Sequence, residues 1–284
     1  MVRRRIRKQS RVSRDADSPI NYAVADRDKT TLEMVRQAVA HKEVLLAFQP
    51  VVQTREPTTP AFYEGLIRVL DETGRIIPAK DFMPIVESAE LGRQIDCLAL
   101  EKGLRALAVN PGLRLSINMS ARSIGYHRWM RVLDRGLSRN PTIGERLILE
   151  ITESSAMLLP ELVINFMKRL QSKSISFAMD DFGAGYTAFR HFRDFYFDIV
   201  KIDGQFIRGL ADSPDNQVLV GALVAIAEQF DMLAVAEHVE TAQEAEILSE
   251  IGIDCMQGYL FGAPSVRPPW KIDSSDNMSA QASA

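Results

Sequence analysis

Apolar positions along the chain follow two rhythms. Short, nearly continuous runs rich in Ile, Val, Leu and Phe occur at 45–52, 62–70, 113–120, 147–152, 174–182, 198–203, 233–239 and 255–261. Runs of this length and make-up are what buried parallel strands require. Most of the gaps carry helical spacing instead. In 95–108, Ile95, Leu98, Ala99, Gly103, Leu104 and Leu107 recur on one face, and 217–230 is dense enough to predict a helix packed on two sides. Thr241 followed by Glu244 predicts a capped helix start, and Gly252 its stop.

Eight strands alternating with helices over roughly 235 residues predict an α/β fold, a modified (β/α)8 barrel of the TIM type. After Val52 the chain reads Gln53-Thr54-Arg55-Glu56-Pro57, with no glycine-rich phosphate loop, which argues against an open doubly wound sheet. That connection is short and polar and holds no helix, so the first two runs are expected to pair as an antiparallel hairpin.

Charge changes the picture at one end. The formal net charge is −3, yet Arg3, Arg4, Arg5, Arg7, Lys8, Arg11 and Arg14 put +7 into residues 1–14. Residues 1–29 are therefore expected to form a basic, solvated, disordered arm, with weak contact to nucleic acid or an anionic surface as the sharper alternative. Residues 30–267 would form the barrel and 268–284 a polar tail. Cys97 and Cys255 show no metal-ligand spacing, which predicts reduced core thiols and a cytoplasmic setting. The longest uncharged apolar run, 218–227, is far short of a transmembrane span, so none is expected.

The informative feature is where the polar groups fall. Glu64, Asn118, Glu150, Asp180, Asp181, Lys201, Asp203, Glu237 and Gln257 all lie within or at the ends of apolar strands. Ionised groups there cost several kcal/mol each unless paired or bound to metal. In a barrel the C-terminal strand ends converge on one mouth, so these groups are expected to meet. Strand alternation puts Glu64, Leu66 and Arg68 on one face, and Lys201 with Asp203 on another. Glu153 has the opposite parity to Glu150 and is assigned to the following loop. Adjacent Asp180 and Asp181 cannot both point inward from a regular strand, so they are expected at a strand terminus with a cation between them. The oxygen-only donor set Glu64, Asn118, Glu150, Asp180 and Asp181 favours Mg²⁺ or Mn²⁺, and with Glu237 its five carboxylates call for two ions. Two such ions suit in-line phosphodiester displacement, with Arg68 and Lys201 complementing the anionic substrate.

In this order, Gln49-Pro50, Glu64-Gly65-Leu66-Ile67-Arg68, Ile117-Asn118-Met119-Ser120, Glu150-Ile151-Thr152-Glu153-Ser154, Asp180-Asp181-Phe182-Gly183-Ala184-Gly185-Tyr186, Lys201-Ile202-Asp203, Ala236-Glu237-His238-Val239-Glu240 and Gln257-Gly258-Tyr259-Leu260-Phe261 resemble the EAL-domain family of cyclic di-GMP phosphodiesterases. The resemblance implies hydrolysis of cyclic di-GMP to linear pGpG by a homodimer whose barrel has an antiparallel first strand. It also implies Glu64, Asn118, Glu150, Asp180 and Asp181 as metal ligands, Lys201 holding the attacking water, and Glu237 as ligand or base. Gln49, Leu66, Arg68, Asp203, Glu240 and Gln257 would contact substrate, while Glu153 would brace the glycine loop and link the metals to dimer contacts. The alternatives are a silent cyclic di-GMP receptor and a barrel enzyme acting on another phosphate ester. Gly65 stands where the family carries Ala, and should spare the chemistry while loosening its strand. His238 replaces a glycine, and its ring is expected to face the helix layer. Ala184 and Thr187-Ala188 depart from a Thr and a Ser-Ser in the loop.

Overall fold

The computed structural model describes residues 19–87, 89–185, 189–268 and 270. The basic stretch 1–14, the loop positions Tyr186, Thr187 and Ala188, and residues 271–284 lie outside them. The strands are β1 (Val44–Gln53), β2 (Glu56–Leu70), β3 (Ile76–Pro78), β4 (Leu115–Asn118), β5 (Leu147–Thr152), β6 (Ser176–Phe182), β7 (Ile199–Ile202), β8 (Leu233–Ala236) and β9 (Cys255–Gln257). The helices are α1 (Pro19–His41), α2 (Met83–Val86), α3 (Glu90–Val109), α4 (His127–Arg139), α5 (Glu153–Leu158), α6 (Pro160–Gln171), α7 (Gly204–Ile207), α8 (Pro214–Gln229) and α9 (Ala242–Ile251).

Eight of the strands close into a barrel in the order β1, β2, β4, β5, β6, β7, β8, β9 and back to β1. β1 runs antiparallel to both its neighbours, and the other ring pairings are parallel. The expected hairpin is present, with Val44 opposite Val69 and Gln49 opposite Glu64. β3 lies outside the ring, antiparallel to β2. It is too short to show in the hydropathy pattern. The Thr241 capping box forms, and Gly252 ends α9 at φ 96°.

Alternation along the strands sorts the core into layers. Val51, Phe62, Ile148, Ala178, Ile199, Val235 and Cys255 point inward and plug the bottom of the barrel. Their neighbours Leu147, Leu149, Met179, Val200, Ile202, Ala234 and Ala236 point outward and join the larger core beneath the helices. Burying side chains such as these stabilises by roughly 1.5–3 kcal/mol for each large aliphatic. Gly65 also faces outward. A Cβ there would come within 2.7 Å of Ile117 Cδ1, and one at Gly103 of α3 within 2.8 Å of the same atom. The Ile117 methyl fills the space between two glycines, so Gly65 sets a close β2–α3 approach rather than simply loosening the strand.

Two boundaries move. α1 begins at Pro19, so the limit placed at residue 30 cuts through a helix. The charged stretch Asp26–Lys29 hides that helix, while its C-terminal half buries Val35, Ala38 and Val39. At the other end Trp270 packs edge-on against Phe48 and Tyr63, with ring centroids 5.1 and 4.6 Å away. One aromatic in a polar context thus extends the fold past residue 267.

α3 contributes a buried carboxylate, Asp96. Its Oδ2 accepts from Ser123 Oγ at 2.6 Å and Ser120 N at 3.1 Å, tying down the turn that follows Asn118. Burial, only partly offset by those bonds, pushes its pKa up to about 6. The folded state therefore binds a proton that the unfolded chain releases near pH 4, and the associated stability is lost as pH rises through 6. Relative to Asp96→Asn, the wild type should lose about 2 kcal/mol of stability between pH 4.5 and 7.5. Denaturant unfolding at several pH values measures this, and parallel curves for the two proteins would contradict it.

Candidate active site

The site is the layer above the plug. One inward step up each strand from Phe62, Ile148, Ala178, Ile199, Val235 and Cys255 stand Glu64, Glu150, Asp180, Lys201, Glu237 and Gln257. On antiparallel β1 the step from Val51 reaches Gln49. Period two places them there, and the plug beneath keeps the layer at one end of the barrel.

Lys201 is the centre of that layer. Its side chain is 1% exposed, and Nζ lies 2.7 Å from Glu237, 3.0 Å from Glu150, and 3.2 Å from both Glu64 and Asp180. Burial alone would depress the ammonium pKa, but the four carboxylates outweigh it and hold the pKa well above the ordinary lysine range. One cation does not balance four anions. Burial, Glu64 and Asp180 raise Glu150 to about 8 against the pull of Lys201. Glu237 is raised well above its ordinary value, first by burial and then by Asp180 and Glu64. Glu64 stays low despite burial, because Lys201 and hydrogen bonds from Gln257 and Asn118 favour its charged form. Gln257 Nε2 reaches Glu64 Oε2 at 2.6 Å and Gln49 Oε1 at 3.1 Å, while Asn118 Nδ2 reaches Glu64 Oε1 at 2.7 Å.

Beside this ring, Asp180, Asp181 and Glu237 bring carboxylate oxygens within 4.8 Å of one another. Both aspartates reach the cleft because β6 is irregular. Its register against β7 slips between Met179 and Phe182, and Asp181 takes φ 56°. The exclusion drawn from a regular strand is met by a bulge. Burial, then Asp180 and Asp203, push Asp181 up to about 6. Glu150 Oε1 is buried with no hydrogen-bond partner. Crowded, partly protonated carboxylates and an orphaned buried oxygen fit hard divalent cations. Glu64, Asn118, Glu150, Asp180, Asp181 and Glu237 are the residues that would hold them.

Above the ring opens a cleft of about 650 Å³ lined by Gln49, Leu66, Arg68, Glu240 and Gln257, among others. Five of the six expected substrate contacts thus share one wall system. Asp203 does not line the cleft: it lies beyond the end of β7, where its carboxylate accepts from Gln205 N at 2.7 Å and caps α7. Glu153 opens α5, is buried, and accepts from Gly183 N at 3.0 Å. His238 meets its expectation in part: at φ 57° its ring packs on Gly204 at the start of α7, while the residue also lines the cleft. Lys80 and Tyr259 also line it and were not anticipated as contacts. Lys80 follows the short strand β3, whose Ile76-Ile77 pair was the only local signal.

Replacing Lys201 with Met leaves four carboxylates facing one another, so stability should fall by about 3 kcal/mol or more at pH 8. The deficit should shrink at pH 5, where protonation relieves the repulsion, and Mn²⁺ should recover part of it. Thermal unfolding at the two pH values reads both effects. Equal melting temperatures for variant and wild type would show that the ammonium does not hold the ring together.

Comparison with known proteins places the fold and the family. The EAL domain profile matches residues 32–264. Cyclic di-GMP phosphodiesterase PdeF of Escherichia coli K12 is 31% identical over 84% of this chain and 32% of its own length. Cyclic di-GMP phosphodiesterase PdeB of Shewanella oneidensis is 29% identical over 81% of this chain and 27% of its own. The chain thus spans about a third or less of these curated relatives. The solved PaMucR phosphodiesterase–c-di-GMP complex superposes with a TM-score of 0.76 at 28% identity, covering 86% of this chain and 99% of that one. On the match to the profile and to the fold, the chain belongs to the EAL domain family.

Proposed function

We propose that this chain is a metal-dependent phosphodiesterase that hydrolyses one phosphodiester bond of cyclic di-GMP, giving linear pGpG. The observation that carries the reading is the polar ring itself: four carboxylates around one buried ammonium, open to a cleft and floored by an apolar plug. The names of PdeF, PdeB and PaMucR support the substrate class.

Two divalent ions, Mg²⁺ or Mn²⁺, held by Glu64, Asn118, Glu150, Asp180 and Asp181, would supply a hydroxide nucleophile and neutralise phosphate charge. Lys201 Nζ orients the attacking water through its N–H donors, and Glu237 serves as ligand or base beside it. The water oxygen bonds to phosphorus, the bond from phosphorus to the ribose 3′ oxygen breaks, and that oxygen takes up the proton. Arg68 offers its guanidinium to a phosphate. Leu66 gives the bases an apolar wall, while Gln49, Gln257 and Glu240 supply amide and carboxylate contacts. Asp203 acts from behind, capping α7 and facing Asp181. Glu153 holds the 183–185 turn through Gly183, and that short helix ends at Leu158. Leu158, Leu159 and Leu162 are 64%, 47% and 41% exposed, which supports a second copy of the chain docking there. Buried free thiols at Cys97 and Cys255 fit a reducing, cytoplasmic compartment.

Purified chain with Mg²⁺ or Mn²⁺ should convert cyclic di-GMP to pGpG, and chelation should stop it. Glu64→Ala and Glu237→Ala should each lower turnover by about 100-fold or more. Chromatographic identification of the product is the measurement. Turnover that survives complete removal of divalent ions would reject the metal mechanism, and binding without hydrolysis would make the chain a receptor.

A further inference from the structure

Among the cleft groups that the proposed chemistry does not use, His238 is set apart by its backbone. His238 follows Glu237 directly and sits at φ 57°, in the left-handed region. A side chain there is disfavoured, although histidine is among the residues that tolerate it best. Of the described non-glycine residues with positive φ, Lys42, Ser174, Asp181, Asp231 and His238, only Asp181 and His238 line the cleft. For Asp181 the conformation brings a carboxylate to the cation cluster. His238 calls for its own explanation.

The ring has a seat built for it. A Cβ at Gly204 would lie 2.5 Å from His238 Nδ1 and 2.6 Å from its Cγ, so the imidazole rests directly on the backbone at the start of α7. Any larger residue at 204 would displace it. The residue is nonetheless exposed and lines the cleft together with Glu237 and Glu240. It does not belong to the group of oxygens formed by Asp180, Asp181 and Glu237, which argues against a ligand role. In a mouth otherwise rich in carboxylates, an imidazole held at the cleft wall offers an N–H donor to whatever fills the cleft.

We propose that His238 is a specificity-determining substrate contact. Its imidazole N–H donates to an acceptor of the bound dinucleotide beside the reacting phosphate, and the strained backbone is tolerated for that contact. This rests on the cyclic di-GMP reading above. It predicts opposite signs for binding and stability when the side chain is removed. His238→Gly should raise KM for cyclic di-GMP about 5- to 10-fold, as loss of one hydrogen bond does, with the loss falling on KM rather than kcat. The same variant should melt at the wild-type temperature or above, because glycine takes this φ freely. His238→Asn, which tolerates the left-handed region and keeps an N–H donor, should return KM to near the wild-type value. An unchanged KM in His238→Gly, or a lower melting temperature, would overturn the proposal and leave the ring as packing for Gly204. Direct binding of cyclic di-GMP to the three proteins, measured by calorimetry, separates the two readings. If the wild type binds without turnover, the phosphodiesterase reading fails while the affinity order still tests His238.

Discussion

The electrostatic balance around Lys201 is the constraint on which the rest of the barrel depends. A fully buried ammonium and four carboxylates within 3.2 Å of it are tolerable only because each satisfies the others. The balance is incomplete, and that incompleteness is informative. Burial and mutual repulsion push Glu150 and Glu237 toward their protonated forms, while hydrogen bonds from Gln257 and Asn118 keep Glu64 charged. The ring is thus short of positive charge, in the way a site built for additional cations must be. A ring evolved only for stability would be better replaced by apolar residues of the same volume, like those in the layer below.

Precision at the ring is imposed from outside it by carboxylates that hold backbone N–H groups. Asp96 of α3 pins the turn after Asn118, Glu153 at the start of α5 pins Gly183, and Glu244 of α9 accepts from Gly209, Glu240 and Thr241. Asp96 ties a helix to the turn after β4, while Glu153 and Glu244 each join segments that follow different strands. The apolar plug fixes height in the barrel, and the braces fix where the loop residues stand around the rim. Charge-assisted bonds suit this task, since they are stronger and more directional than packing contacts.

Most of this was legible in the chain because a barrel strand writes its two faces into alternate residues. Phe62 with Glu64, Ile148 with Glu150, and Ile199 with Lys201 each announce plug and site in three positions. The illegible parts are those where local pattern carries no tertiary information. α1 is masked by a charged, exposed stretch, β3 is three residues long, and Trp270 sits in a polar tail yet finds Phe48 and Tyr63. Lys80 reaches the cleft only because β3 folds back on β2. Asp203 shares parity with Lys201, but β7 ends at Ile202, so the alternation no longer applies to it.

Asp181 and His238 show where regular periodicity gives way to function. Both follow an inward-facing acid, and both would point out of the barrel if the strand continued. A positive φ at each turns the side chain back toward the cleft instead. In Asp181 the result is a second carboxylate beside Asp180. In His238 it is an imidazole over Gly204, in a chain that elsewhere lines this mouth mainly with oxygen. The same backbone device, used at the ends of β6 and β8 on either side of β7, adds inward-facing residues to a barrel whose eight strands otherwise supply one each at this height. Chemistry gains a denser rim than a regular barrel allows, and the strain is confined to two residues that border the reaction.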